Sequence, residues 1–381
     1  MHLNHHNAHA AGNMRWRKPV AVVATMLLAG AASGGSTTHG NKLRADGTRL
    51  HWSLNHPAAA GSSGLLLVAQ GSGCQPALAS AAVQAAHAVA PGFTLLTVEK
   101  YGVSPNDRPA DAMSDCSSGY RHKHTVSQRV SDAREVLQSL CGAPWWNGQL
   151  ILFGGSEGGA VVAQLTPLVQ PDAVVVYSSG LGEPLSDSLK RVVPPQVAQQ
   201  VDTMLAQARQ DPTGERSWGG NSFRWWADVA DRVPVRALLT TSAPVLLVQG
   251  GRDASAPVAS ARLARDAYQA AGKGGLTYWE YPDHDHFMVD THGTSHRTKV
   301  MGLSADWVAA QLRERPAQEA TAARQGFCNA PLSAPTGAID PTSATGIGRR
   351  AASLPAVESA RRLPVARGAG RSASAPASAI H

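Results

Sequence analysis

Ser156 lies in the run Gly154, Gly155, Ser156, Glu157, Gly158, Gly159. Residues 149–153 before it are apolar and β-prone, and residues 160–165 after it are apolar and can continue as a helix. A tight glycine turn between a strand and a helix holds a serine hydroxyl out of the sheet on strained backbone, where a base can reach it. Glycines two residues before and after the serine suit this geometry, because a Cβ there would clash. The chemistry such a serine performs is attack on a carbonyl carbon. The pattern alone is equally that of a plain glycine turn. It gains meaning only if an Asp and a His follow in that order, each after a later strand.

Both follow. Asp253 ends the run Gly250, Gly251, Arg252, Asp253, which comes after the apolar residues 245–249. His284 and His286 lie just beyond the β-prone residues 276–281. In a parallel sheet the loops after the strands share one edge, so Ser156, Asp253 and a histidine can converge there. Asp253 is also readable as a surface-turn aspartate. His284 competes with His286, which is preferred because it precedes Phe287 and stands four residues beyond Pro282. His122 and His124, beside Arg121 and Lys123, read as a surface face rather than metal ligands. No metal and no cofactor is expected.

The elements that must position these residues alternate. Apolar runs at 65–69, 93–98, 149–153, 173–177, 245–249 and 276–281 read as strands, with an earlier one at 49–52. Residues 75–89, 122–140, 257–271 and 295–312 read as helices. This alternation implies an α/β chain with a mostly parallel sheet covered by helices on both faces. Residues 181–240 break the rhythm with helical stretches and the aromatic cluster Trp218, Phe223, Trp225 and Trp226. They are expected to form an inserted helical cap, with the tryptophans either walling a substrate cavity or filling the cap's own core.

The order Ser, Asp, His, with Gly154 to Gly159, Gly250 to Asp253 and Asp285, His286, Phe287 as its three signatures, resembles the α/β-hydrolase superfamily over roughly residues 42–317. The likeness is greatest to its dienelactone-hydrolase and peptidase-like branch. The resemblance implies Ser156 as nucleophile, His286 as base and Asp253 as its orienting partner. It implies an oxyanion hole of two backbone N–H groups: that of Glu157, and that of Ser72 or Gly73 in the glycine-rich loop after residues 65–69. Gln70 and Gly71 stand where the family usually has His-Gly. The side chain of Glu157 is readable as a solvated carboxylate or a substrate contact. The expected function is serine hydrolysis of a carboxylic ester, thioester or amide, acting on a small-molecule acyl or peptide substrate. A peptidase and a binding protein that has lost the reaction are the alternatives.

The ends differ from the middle. A basic stretch at 14–18, then the apolar residues 19–32 with small residues at 29 and 31, reads as a signal peptide within a leader over 1–40, so export to the periplasm or medium is expected. The apolar run is short for a membrane span. Residues 329–381, rich in Ala, Pro, Ser and Arg, read as a disordered tail, leaving 41–328 as the hydrolase domain. The net charge of +7 lies wholly in these two ends, and residues 41–328 balance to zero. A neutral core gives no case for nucleic-acid binding. The four cysteines lack metal-ligand spacing, and in an exported chain they suggest disulfides. In the expected topology Cys74 and Cys116 lie at the catalytic edge of the sheet, while Cys141 and Cys328 lie at the opposite edge. A disulfide cannot span that distance, so the expected pairs are Cys74–Cys116 and Cys141–Cys328.

Overall fold

The apolar runs become strands. In the computed structural model, which describes residues 35–59, 61–314 and 326–331, they are arranged as follows. β1 (Thr37–Leu43) and β2 (Arg49–Asn55) pair antiparallel. β3 (Ser63–Ala69) precedes the short helix α1 (Ala81–Ala86). β4 (Thr94–Val98) precedes α2 (Ser118–Lys123) and α3 (Val126–Ser139). β5 (Trp146–Gly155) turns directly into α4 (Glu157–Val169), and β6 (Ala173–Tyr177) follows. The insertion comes next: α5 (Leu185–Val192), α6 (Pro195–Gln210), the two-residue strands β7 (Ser217–Trp218) and β8 (Asn221–Ser222), α7 (Phe223–Val229) and α8 (Val235–Leu238). The main rhythm then resumes with β9 (Val245–Gly250), α9 (Val258–Ala270), β10 (Leu276–Tyr281) and α10 (Arg297–Glu314).

Eight strands form one sheet in the order β1-β2-β4-β3-β5-β6-β9-β10. From β4 to β10 every pairing is parallel, and β1–β2 and β2–β4 are antiparallel. The two-residue side-chain period divides the core. Leu65, Leu67, Leu150 and Leu152 pack with α3 and α4 on one face. Leu66, Val68, Ile151 and Phe153 pack with α1 and α10 on the other. A strand buried on both faces is apolar wherever it has no hydrogen-bonding partner for a polar side chain, which is why 65–69 in β3, all of β6 and 245–248 in β9 read as apolar runs. The fold is thus α/β, a mostly parallel sheet with helices on both faces and a helical insertion between β6 and β9, as the alternation predicts.

Three local expectations are corrected. The helix expected over 122–140 is broken at His124 and Thr125. The Thr125 hydroxyl accepts the Gln128 N–H and starts α3 afresh, after α2 has been started by Ser117 in the same way. Residues 75–89 form one short helix between two 3₁₀ turns rather than one long helix. β1 takes in residues 37–40, which the sequence reading assigns to the leader. Its residues show no apolar alternation because it is an edge strand held by pairing to β2. The Trp52 ring lies so close over Gly40 that a Cβ there would meet it at 2.2 Å.

The signal-peptide stretch and most of the tail lie outside the described residues. Residues 329–331 do not follow the tail's expected disorder: the carbonyls of Ala330 and Pro331 accept hydrogen bonds from Gln138 and Arg134 of α3. Both disulfides form as paired from the sequence. Cys74–Cys116 and Cys141–Cys328 have Cα separations of 5.6 and 5.9 Å. No described helix is long and apolar enough to cross a membrane.

Candidate active site

Ser156 is the joint between β5 and α4, and its φ of 52° is the left-handed conformation that a non-glycine residue adopts only under strain. The turn is pinned on both sides: the Ser156 N–H donates to the Tyr177 carbonyl at 2.9 Å, and the Ser179 hydroxyl donates to the Ser156 carbonyl at 2.7 Å. The flanking glycines meet the expected crowding. A Cβ at Gly154 would lie 2.3 Å from the Gly158 carbonyl oxygen, and one at Gly158 would lie 2.0 Å from that of Ala69.

Asp253 follows β9 and its side chain is fully buried. Its Oδ1 accepts the N–H groups of Ser255 and Ala256 at 2.8 and 2.7 Å, which fixes the carboxylate in place. Its Oδ2 lies 2.8 Å from His286 Nδ1 and accepts a second bond from Gln249 Nε2 at 2.9 Å. A carboxylate at Nδ1 selects the tautomer protonated there and leaves Nε2 as the acceptor. His284 is turned elsewhere, packed against the rings of Tyr281 and His296 at 5.2 and 4.6 Å. Of the two histidines, the fold brings His286 to Asp253. Ser156 and His286 line the same cavity of about 330 Å³.

Ser72 also lines that cavity, in the loop after β3. Its N–H has no carbonyl partner among the described residues. Glu157 is the first residue of α4, where a backbone N–H has no partner within the helix. Gly71 presses against Ser156, where a Cβ would stand 3.3 Å from the serine Cβ. The two expected N–H donors therefore come from segments in contact with the serine.

Beneath this loop is a cluster of buried charges that the sequence reading does not identify. The Glu157 side chain is neither solvated nor free: it meets Arg129 at 2.7 Å, His124 Nε2 at 3.4 Å and the Ser72 hydroxyl at 3.2 Å. Burial opposes its charge, but the positive charges around it, His124 when protonated, Arg129 and Lys100, outweigh that and hold its carboxyl down at about 2. Burial drives His124 down to about 3, so its imidazole is neutral and Arg129 is the charged partner. His124 is thus a core residue, not the expected surface one. Lys100, 2% exposed, donates to the carbonyls of Gly71 and Gly73, and burial lowers it to about 7. A charged residue directly after a buried strand, here Glu99 and Lys100 after β4, was the signal available in the sequence. Gln249, the last polar residue of β9, is likewise missed.

A second cavity of about 240 Å³ reaches Ser156 from beneath the insertion. Trp225 and Leu185 line it, which makes the insertion a cap over the serine. Trp226 does not line it. Its indole N–H donates to the Trp218 carbonyl at 2.8 Å, and it packs edge-on against Trp225 inside the cap.

No family model matches the sequence, and no curated protein matches it either. Solved structures do. Est1E from Butyrivibrio proteoclasticus, solved with ferulic acid bound, is similar over 71% of this chain and 99% of its own, at 16% identity and a TM-score of 0.50. DcsB, in complex with its substrate analogue, is similar over 72% of this chain and 99% of its own, at 13% identity and a TM-score of 0.50. A candidate dipeptidyl aminopeptidase IV from Bacteroides ovatus is similar over 74% of this chain and 36% of its own, at 12% identity and a TM-score of 0.50. At such identities the likeness is one of architecture, and it agrees with the strand order and the strand–serine–helix turn: the chain is a protein of the α/β-hydrolase fold.

Proposed function

We propose that the protein is a serine hydrolase that cleaves a carboxylic ester through an acyl-enzyme on Ser156. The observation that carries this reading is the 2.8 Å contact of His286 Nδ1 with Asp253, made by a histidine that shares a cavity with the strained serine. A binding role requires neither the strain nor the buried carboxylate behind the imidazole.

Ser156 Oγ attacks the ester carbonyl carbon as His286 Nε2 takes its proton. Asp253 stabilises the imidazolium without itself being protonated. The carbonyl oxygen becomes an oxyanion and accepts the N–H groups of Ser72 and Glu157, each worth about 3 kcal/mol in comparable sites. The tetrahedral intermediate collapses, the C–O bond to the leaving group breaks, and the departing oxygen takes the proton from His286. Water then attacks the acyl-enzyme with His286 as base. It releases the acid and restores the serine. No group outside the chain is needed. Two disulfides support an oxidising compartment and hence export.

A panel of 4-nitrophenyl esters of increasing acyl length tests the reading. The expected result is turnover with an acyl adduct on Ser156, seen in intact-mass spectra of the quenched enzyme. Turnover of none of them would remove the esterase assignment.

A further inference from the structure

Ser156 stands between two cavities, and only the larger, of about 330 Å³, is also lined by His286. In the proposed reaction His286 returns its proton to the leaving group, so the leaving group occupies the His286 side and the acyl group the cap side. The walls on the His286 side are largely apolar, with Phe153, Phe287, Met113 and Met301 among them.

One cation interrupts these walls. Arg297, the first residue of α10, lines the cavity and makes no ion pair among the described residues. Its guanidinium lies over the Phe287 ring, 6.0 Å from the centroid. It is also near the Tyr177 phenol, which burial pushes up while the Arg297 charge opposes the rise. Tyr177 (6% exposed) and Ser178 (1% exposed) line the same cavity. Their hydroxyl oxygens are buried: that of Ser178 has no hydrogen-bond partner, and that of Tyr177 has only the Arg297 guanidinium beside it. Buried polar groups are nearly always paired, so an orphan hydroxyl and a guanidinium without an ion pair in one cavity point to a ligand that the chain does not supply. Asp285, the carboxylate that acts on Tyr177, uses its Oδ1 to accept the N–H groups of Phe287 and Val289.

We propose that Arg297, with the Tyr177 hydroxyl beside it and that of Ser178 in the same cavity, forms a carboxylate subsite, and that the substrate is an ester whose leaving group is an apolar hydroxy acid. The subsite rests on the reading of Ser156 and His286 given above. The planar guanidinium presents paired N–H donors to a carboxylate, and the hydroxyls add two more. The carboxylate anchors the leaving group at its far end and is unchanged by the reaction. The hydroxyl oxygen at the other end leaves carbon and takes the proton from His286.

The test compares 4-(butanoyloxy)benzoate with its methyl ester on the wild-type protein, Arg297→Lys and Arg297→Met. Intrinsic reactivity favours the methyl ester, the better phenoxide leaving group, so a preference for the acid must come from the protein. The wild type is expected to favour the carboxylate in kcat/KM by at least about tenfold, chiefly through KM, the lower end for a charged hydrogen-bonded pair. The ratio falls to about one in Arg297→Met and lies between in Arg297→Lys. Equal rates for the two esters, or a preference that survives in Arg297→Met, would overturn the subsite and leave the hydrolase standing. If no ester is turned over, the hydrolase reading fails and benzoate binding by calorimetry decides the subsite alone. Binding at least about tenfold weaker to Arg297→Met supports it, and equal or absent binding overturns it.

Discussion

Arg129 joins the two segments that carry the expected oxyanion donors: one arm of its guanidinium lies 2.7 Å from the Glu157 carboxylate, and the other lies 2.5 Å from the Gln70 carbonyl. Lys100 holds the carbonyls of Gly71 and Gly73 from below. With these carbonyls turned inward, the intervening N–H of Ser72 has no carbonyl to meet. Lys100 and Arg129 contact the loop through its backbone carbonyls.

Arg129→Met is therefore expected to lower kcat by about tenfold to a hundredfold, part of the loss seen when an oxyanion donor is removed. KM should change little. The distinguishing readout is the rate ratio of an ester to its thionoester, since sulfur fits a tight oxyanion hole poorly. The ratio should fall in Arg129→Met, and an unchanged ratio would make Arg129 purely structural. The variant should also melt lower, because it leaves Glu157 buried without its charged partner.

His124 gives a pH dependence with a definite sign. Its folded pKa, about 3, is below the ordinary 6.5. Between those values the unfolded chain binds a proton that the folded chain does not, so stability falls as pH falls through that window. The slope from one such group is at most about 1.4 kcal/mol per pH unit. Denaturant midpoints measured from pH 7 to pH 4 should fall less steeply in His124→Gln than in the wild type. Parallel curves would show that His124 titrates normally.

The paired tryptophans of the cap should separate. Trp225 lines the cap-side cavity, and Trp226 serves the cap's own core. Trp225→Ala is expected to move the optimum to longer acyl chains. Trp226→Ala should leave the optimum in place and cost about 3–5 kcal/mol of stability. Melting curves and a chain-length series on both variants check this, and a shifted optimum in Trp226→Ala alone would contradict it.

The Cys74–Cys116 bridge fastens the loop after β3 to the segment before α2. It spans 42 residues, for which loop closure alone gives about 4 kcal/mol. Removing it with paired serine substitutions should reduce turnover at temperatures where the far-ultraviolet spectrum is still native. Full turnover up to the melting temperature would show that the bridge does not hold the loop.

The sheet was largely legible because its central strands are buried on both faces and so are mostly apolar. Residues 173–177 coincide with β6 at both ends, and the edge strand β10 was legible at 276–281 through its β-prone aromatic residues. β1 was not legible, since an edge strand needs only backbone pairing and its residues carry no pattern. Of the candidate site, the residues that come together after parallel strands could be read in chain order: Ser156 after β5, Asp253 after β9, His286 after β10. The choice between His284 and His286 needed the loop's path. Of the Arg129–Glu157–His124–Lys100 cluster, only Lys100, a charge directly after a buried strand, carried a signal. The cluster is built from three separate segments, and charge in a sequence ordinarily reads as surface.

The most direct test of the account is labelling with a fluorophosphonate, which reacts with a serine only when a base and an oxyanion hole activate it. One adduct per chain is expected, mapped to the peptide containing Ser156, lost in Ser156→Ala and strongly slowed in His286→Ala but not in His284→Ala. An unlabelled wild-type protein, or an adduct that persists in Ser156→Ala, would contradict it.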